Sequence, residues 1–239
     1  MFVMKFLSRL SRLAGPQSCA LCHARAEGGI CGGCMADLLK TATPPERVCP
    51  RCGGAGDGVT ICGACQKKPP PFDLLWSSCA YAPPVSGILH EFKHLRRLEL
   101  RRPLACLMAA LPPPWLRHEA VDGILAVPLS RERQMERGFN QCTELARLIA
   151  PFFRLSVLPE NTVFRRPSAP QSTLSYRERL QNAKGLFEVR GDVKKRNLLL
   201  IDDVATTNAT LAELARMLRR AGAERVFCWT LAQAKMQRP

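Results

Sequence analysis

The stretch NLLLIDDVATTNAT, residues 197–210, passes from an apolar run through two acids into a small, threonine-rich turn. Its first part, 197–201, is predicted as a buried strand. Beyond the turn, Leu211, Leu214, Ala215 and Leu218 recur at helical spacing, and Gly222 supplies a stop. Residues 226–231 then read as a second strand. Strand, helix and strand at this spacing form a βαβ unit, so a parallel sheet is expected. The loop 202–210 therefore joins the carboxyl end of a strand to a helix N-terminus, where ligands bind in open α/β sheets. Thr206, Thr207 and Thr210, together with successive backbone N–H groups, can converge there on a phosphate. Asp202 and Asp203 would repel that anion unless they grip something else, such as sugar hydroxyls or a magnesium ion. Phosphate, ribose diol and magnesium in one loop describe a phosphorylated ribose.

Working back towards the N-terminus, strands are predicted at 74–81 and 124–127, and further possible strands at 152–157 and 186–189. Residues 85–111 read as helices broken near Arg102 and Pro103. A helix over 140–150 has Asn140 as N-cap and Pro151 just beyond its end. After the strand at 124–127, Pro128 and Leu129 lead into Arg131, Arg133 and Arg137, a guanidinium cluster suited to a diphosphate. Gly138 there is expected to allow close backbone approach. Arg131 and Arg133 equally fit a solvated surface, as does Lys93. His90 and His94 share a helical face without an evident third ligand, which favours a packed or solvated pair over a metal site. Residues 165–184 read as a flap, in which Arg177, Arg179 and Lys184 either close over an anion or line a plain surface loop.

The chain has 239 residues, 46% hydrophobic and 23% charged, and no apolar run approaches the length of a spanning helix. Collagen, coiled coil and low-complexity architectures are excluded. The formal net charge is +15: residues 1–75 carry +4 and residues 76–239 carry +11. Such a balance points to polyanionic ligands, either phosphorylated small molecules or nucleic acid.

Eight of the twelve cysteines form Cys-x-x-Cys pairs: Cys19/Cys22, Cys31/Cys34, Cys49/Cys52 and Cys62/Cys65. Paired thiolates at this spacing suit a tetrahedral metal better than a disulfide framework, and place the chain in a reducing cytoplasm. Two sequential four-cysteine zinc sites follow, although a crossed pairing of the first pair with the third is also possible. Such sites are structural, because sulfur fills every coordination position. Gly32, Gly53 and Gly63 follow ligand positions, where the turns need small or left-handed residues. Cys79, Cys106, Cys142 and Cys228 lie outside the repeats and are expected to be buried thiols. The boundaries expected are an N-terminal basic helix over 1–18, a double zinc-ribbon module over 19–72 and an α/β domain over 73–239.

LLLIDDVATTNAT resembles the phosphoribosyl-diphosphate (PRPP) motif of type I phosphoribosyltransferases. By that resemblance Asp202 and Asp203 contact the ribose hydroxyls. Ala205, Thr206, Thr207, Asn208, Ala209 and Thr210 wrap the 5′-phosphate, with Asn208 standing where the motif has glycine. Pro128, Leu129, Arg131, Arg133 and Arg137 take the place of the pyrophosphate loop. The Cys-x-x-Cys pairs, KKPPPFD, YAPPVSGILHEFKH, VPLSRERQMERGFNQ and the series Gln171, Leu174, Arg179, Asn182 and Phe187 together resemble the ComF family, collinearly from Cys19 onward. The resemblance implies a phosphoribosyltransferase-like parallel sheet behind a zinc module, and a role in DNA uptake or natural transformation.

Two classes of function follow. One is PRPP- and magnesium-dependent phosphoribosyl transfer to an acceptor. The other is non-catalytic binding of single-stranded DNA, with the fold retained as a phosphate-binding scaffold beside DNA-uptake proteins. The 15 aromatic residues show no stacking row, which weakens the second on sequence grounds.

Overall fold

The computed structural model describes residues 17–26, 28–167 and 185–234. Residues 1–16 of the expected basic helix, and the flap residues Gln171, Leu174, Arg177, Arg179, Asn182 and Lys184, lie outside the described residues. Gln17 and Ser18, grouped above with that helix, instead form strand β1, paired antiparallel with β2 (Arg25–Ala26).

The larger part of the chain is built on a parallel sheet of β3 (Leu74–Ala80), β4 (Gly123–Ala126), β7 (Asn197–Ala205) and β8 (Arg225–Gln233), in the order β3-β8-β7-β4. Both central strands are buried on both faces, as a covered parallel sheet requires. Leu199 and Ile201 of β7, with Phe227 and Trp229 of β8, face a core made with Leu89, Leu104 and Leu145. Leu198 and Leu200, with Val226 and Cys228, face the opposite core, which holds Leu214 and Leu218. The period of two thus splits each strand between layers. Helices α3 (Val85–His94), α4 (Arg101–Ala110) and α6 (Gln141–Phe153) contribute to the first layer. Helix α7 (Ala209–Arg220) covers the second, beside a hairpin of β5 (Val163–Arg165) and β6 (Phe187–Val189). This is the parallel, helix-flanked α/β class expected, and β7–α7–β8 is the expected βαβ unit.

Several boundaries differ from expectation. β7 continues through Ala205, so the two acids lie within the strand, ahead of Val204 and Ala205, and the connecting turn shrinks to 206–208. The interruption in 85–111 falls between α3 and α4 rather than near Pro103. Pro103 sits in the first turn of α4, where its missing N–H has no intrahelical acceptor to lose. Pro151 lies inside α6, which runs on to Phe153. The possible strand at 152–157 reduces to a bridge between Val157 and Ile124, because the helix consumes its first residues. Phe187–Val189 confirms the strand expected at 186–189.

The Cys-rich segment carries α1 (Gly32–Leu39) and α2 (Gly63–Lys67), with Cys31 and Cys62 at their N-caps. Gly32 and Gly63 are therefore helical starts, not left-handed turns; of the three glycines only Gly53 has positive φ, at +69°. Met35 and Leu38 of α1 share the core with Trp76 and Leu104. Residues 41–43 also run along β3, with Ala80 N–H donating to Thr41 O (2.8 Å) and Thr43 N–H to Ser78 O (3.0 Å). The exposed edge of the sheet is thereby covered.

Candidate functional site

The sheet's carboxyl edge opens into a cleft of about 430 Å³ at the junction of β7 and α7. Asp202, Asp203, Ala205, Thr206, Asn208, Ala209 and Thr210 line it, as do Leu129, Arg133 and Arg137 from the segment after β4. The structure thus brings most of the two predicted loops to one hollow. Thr207 does not line it and accepts the Ala209 N–H on its hydroxyl (3.3 Å). Pro128 and Arg131 line a neighbouring cavity of about 290 Å³, which Leu129 also borders. For Arg131 the reason is helical: α5 (Arg131–Arg137) is capped by Ser130, whose Oγ accepts the Arg133 N–H, and successive residues of the helix point to different sides. Gly138 ends α5 at φ +82°, and a Cβ there would meet nothing within 4 Å. Its purpose is a left-handed helix stop, not close backbone approach.

Seven cleft residues lay outside the predicted set, and four of these carry polar or ionisable side chains. Lys93, from the last turn of α3, pairs with Asp203 at 2.8 Å, with both side chains largely buried. Cys142 donates its thiol to Asp202 Oδ1 at 3.3 Å. Arg165 is 6% exposed and enters from β5, and Tyr81 follows the end of β3. Arg165 follows only two apolar residues and precedes Arg166, so like Cys142 and Tyr81 it is placed only by the tertiary fold.

The electrostatics follow from this crowding. Burial pushes the Asp202 carboxyl up to about 6, the neighbouring Asp203 charge adding to it and Lys93 opposing. Burial, then the two carboxylates, drive the Cys142 thiol far above its ordinary value, so it is a proton-bearing donor and not a nucleophile. Burial and mutual repulsion lower Arg133 and Arg165, each of which sits near other guanidiniums. Guanidiniums held together in this way are poised for an anion. His90 and His94 pack ring to ring at 4.8 Å, and no metal-ligand group among the described residues includes them.

The two candidate metal centres are equally defined. Cys19, Cys22, Cys31 and Cys34 form one group and Cys49, Cys52, Cys62 and Cys65 another, the sulfurs of each lying within 4.8 Å of one another. The sequential pairing therefore holds and the crossed one does not. Sulfur separations of 3.6 Å (Cys22–Cys31) and 3.8 Å (Cys52–Cys62) match the roughly 3.8 Å edge of a tetrahedron with about 2.3 Å metal–sulfur bonds. Within the second set, Cys62 is lowered to about 7, hydrogen bonds from Cys65 and nearby thiols outweighing burial. Burial and its neighbours push Cys65 up. Four sulfurs gathered this closely would repel one another as thiolates, which a dication would relieve, and each group can hold one. Cys79, Cys106 and Cys228 are buried thiols as expected, burial pushing Cys79 and Cys106 to about 12.

No family model matches the chain. The DNA utilization protein YhgH of Escherichia coli is 34% identical over 228 residues, covering 92% of this chain and 99% of that protein. Competence protein F of Haemophilus influenzae is 30% identical over 221 residues, covering 87% and 92% respectively. This chain belongs to the ComF family. Among solved structures, this ComF chain is similar to the glutamine PRPP amidotransferase of B. subtilis complexed with ADP and GMP. That likeness has a TM-score of 0.36 and 18% identity over 54% of this chain. This chain spans a quarter of that protein (25%), and the fold class rests on the sheet order instead. No helix among the described residues is long and apolar enough to cross a membrane.

One departure of this ComF chain from the PRPP motif has a structural reason. Asn208 adopts φ +59°, the left-handed conformation for which glycine is the usual residue and asparagine the next best. Its side-chain amide donates to the Cys52 carbonyl at 3.0 Å. The side chain is therefore tied to the second four-cysteine group at the rim of the cleft.

Proposed function

We propose that the cleft binds PRPP with magnesium, and that the chain is a phosphoribosyltransferase-like protein serving DNA uptake or utilisation. One observation carries the reading: two acids at the end of β7 meet the first turn of α7 and three guanidiniums, Arg133, Arg137 and Arg165, in a single hollow. In this reading the positive end of α7 and the Thr206 and Thr210 side chains take the 5′-phosphate. Asp202 and Asp203 accept from the ribose hydroxyls, and Lys93 compensates the Asp203 charge. The guanidiniums take the diphosphate by charge-assisted hydrogen bonds. Magnesium, bound with the diphosphate, supplies further charge neutralisation. Loss of pyrophosphate builds positive charge on the ribose anomeric carbon, so the residues act by positioning and neutralisation and no protein nucleophile is needed. Both four-cysteine groups are read as structural zinc sites.

Calorimetric titration with PRPP and magnesium tests this. Binding heat is expected for the wild-type chain and its loss when Asp202→Ala and Asp203→Ala are combined. Heat that is absent, or unchanged by the double substitution, would overturn the reading.

The net charge of +15 favours a second reading in which single-stranded DNA follows the same basic surface. Its relatives' names, competence and DNA utilization proteins, agree with it. Retardation of a single-stranded oligonucleotide at low salt, falling steeply as salt rises, is the expected signature. Retention that ignores salt would remove it.

A further inference from the structure

The Asn208–Cys52 hydrogen bond joins two sites that the functional reading treats separately. Cys52 lies in the turn that closes the second metal group, where Gly53 N–H donates to Cys49 O (2.9 Å) and Cys49 N–H to Gly54 O (2.6 Å). That turn is wedged against β3 and β8. A Cβ on Gly53 would come within 2.6 Å of Gln233 Oε1 on β8 and 2.7 Å of Leu75 on β3. Leu75 N–H also donates to Pro50 O at 3.3 Å. The Cys52 carbonyl is thus held in place from two directions: by the sulfur cluster behind it and by the strands beneath it.

On the other side, Asn208 is the N-cap residue of α7 and lines the cleft. Its side chain does not cap the helix. Its Nδ2 reaches across to Cys52, while its Oδ1 is buried without a hydrogen-bond partner among the described residues. A glycine would hold φ +59° at less steric cost and leave no orphaned oxygen. Asparagine therefore adds a bridge that glycine, in the same backbone conformation, cannot make.

We propose that Asn208 is a positioning residue that couples the second four-cysteine site to the anion loop, so that metal in one and anion in the other stabilise each other. The proposal rests on the reading of 205–210 as an anion loop and of Cys49, Cys52, Cys62 and Cys65 as a zinc site. An ordered turn around Cys52 fixes Asn208, and Asn208 fixes the start of α7. By linkage the effect runs equally in reverse. One hydrogen bond sets the scale, about threefold to tenfold in an equilibrium or rate.

The test follows zinc release from the intact, zinc-loaded chain into a chromogenic chelator, with and without inorganic phosphate. Two variants accompany the wild type. Asn208→Gly keeps the backbone conformation and removes the bridge; Asn208→Asp keeps the shape and removes the donor. One of the two zinc ions should leave about threefold to tenfold faster in both variants, the other at an unchanged rate. Phosphate should slow the same ion in the wild type and in neither variant. Equal release of both ions from all three proteins overturns the proposal, and so does an equal acceleration of both ions, which marks general destabilisation. Phosphate that binds by calorimetry yet leaves wild-type release unchanged overturns the coupling. Absence of phosphate heat counts against the functional reading instead, and the variants' release rates then decide the bridge on their own.

Discussion

At the residue scale the cleft is a balance of buried charges. Asp202 titrates near 6 in the folded chain, above the roughly 3.9 of a free carboxyl. The folded state thus holds the proton more tightly, and the stability this group contributes is complete below about pH 4 and lost as pH rises through 6. Asp202→Asn is accordingly expected to raise Tm at pH 7.5 by about 2–6 °C, with a smaller gain at pH 5. Thermal melts at the two pH values check it, and an equal gain at both would contradict the assignment. Lys93 acts in the opposite sense, since it compensates Asp203 at 2.8 Å in a largely buried pair. Lys93→Met leaves that carboxylate without its cation and is expected to cost about 3 kcal/mol in urea unfolding at pH 7.5. A loss below about 1 kcal/mol would mean that solvent already screens the pair. The diacid stands out in sequence as two adjacent acids directly after an apolar run, and the structure places both on the cleft. Lys93 was not, because a lysine late in an amphipathic helix looks the same whether it meets water or a carboxylate.

Among the elements, the segment from β4 to α6 depends on one asparagine. Asn140 Oδ1 accepts the Cys142 N–H at 2.9 Å as the N-cap of α6, and its Nδ2 donates to Val127 O at 3.1 Å. It therefore fastens a helix start to the end of a strand, with Arg133 and Arg137 on the span between them. Asn140→Ala is expected to destabilise the chain by about 2 kcal/mol, combining a lost cap with an unpaired buried carbonyl. Asn140→Asp, which keeps the acceptor and loses the donor, should cost less. Chemical denaturation of the pair checks the order, and an alanine variant no worse than the aspartate one would contradict it. The cap itself was readable, since asparagine preceding an amphipathic helix is a local signal. The donation to Val127 was not, because it joins residues thirteen apart through the fold. Helix ends were the least legible feature: Pro103 and Pro151 look like breaks in sequence, yet a first-turn position and a last turn both tolerate proline here.

For the whole molecule, the Cys-rich segment and the sheet share one interior. Met35 and Leu38 sit in the same core as Trp76 and Leu104, and residues 41–43 cover β3. Removal of zinc by a chelator is therefore expected to lower the main calorimetric transition of the entire chain by several degrees, not to melt a separate module beneath an unchanged domain. Two transitions, only the lower one metal-dependent, would refute the shared interior. By itself the sequence determined the Cys-x-x-Cys pairs, the βαβ unit and the parallel sheet, because each depends on spacing within a few residues or on a single repeating period. Only the tertiary structure decided which cysteine pairs lie together, which arginines turn to the cleft and that Asn208 reaches the Cys52 carbonyl. Those depend on side chains that meet across the fold, and neighbourhood along the chain carries no record of such encounters.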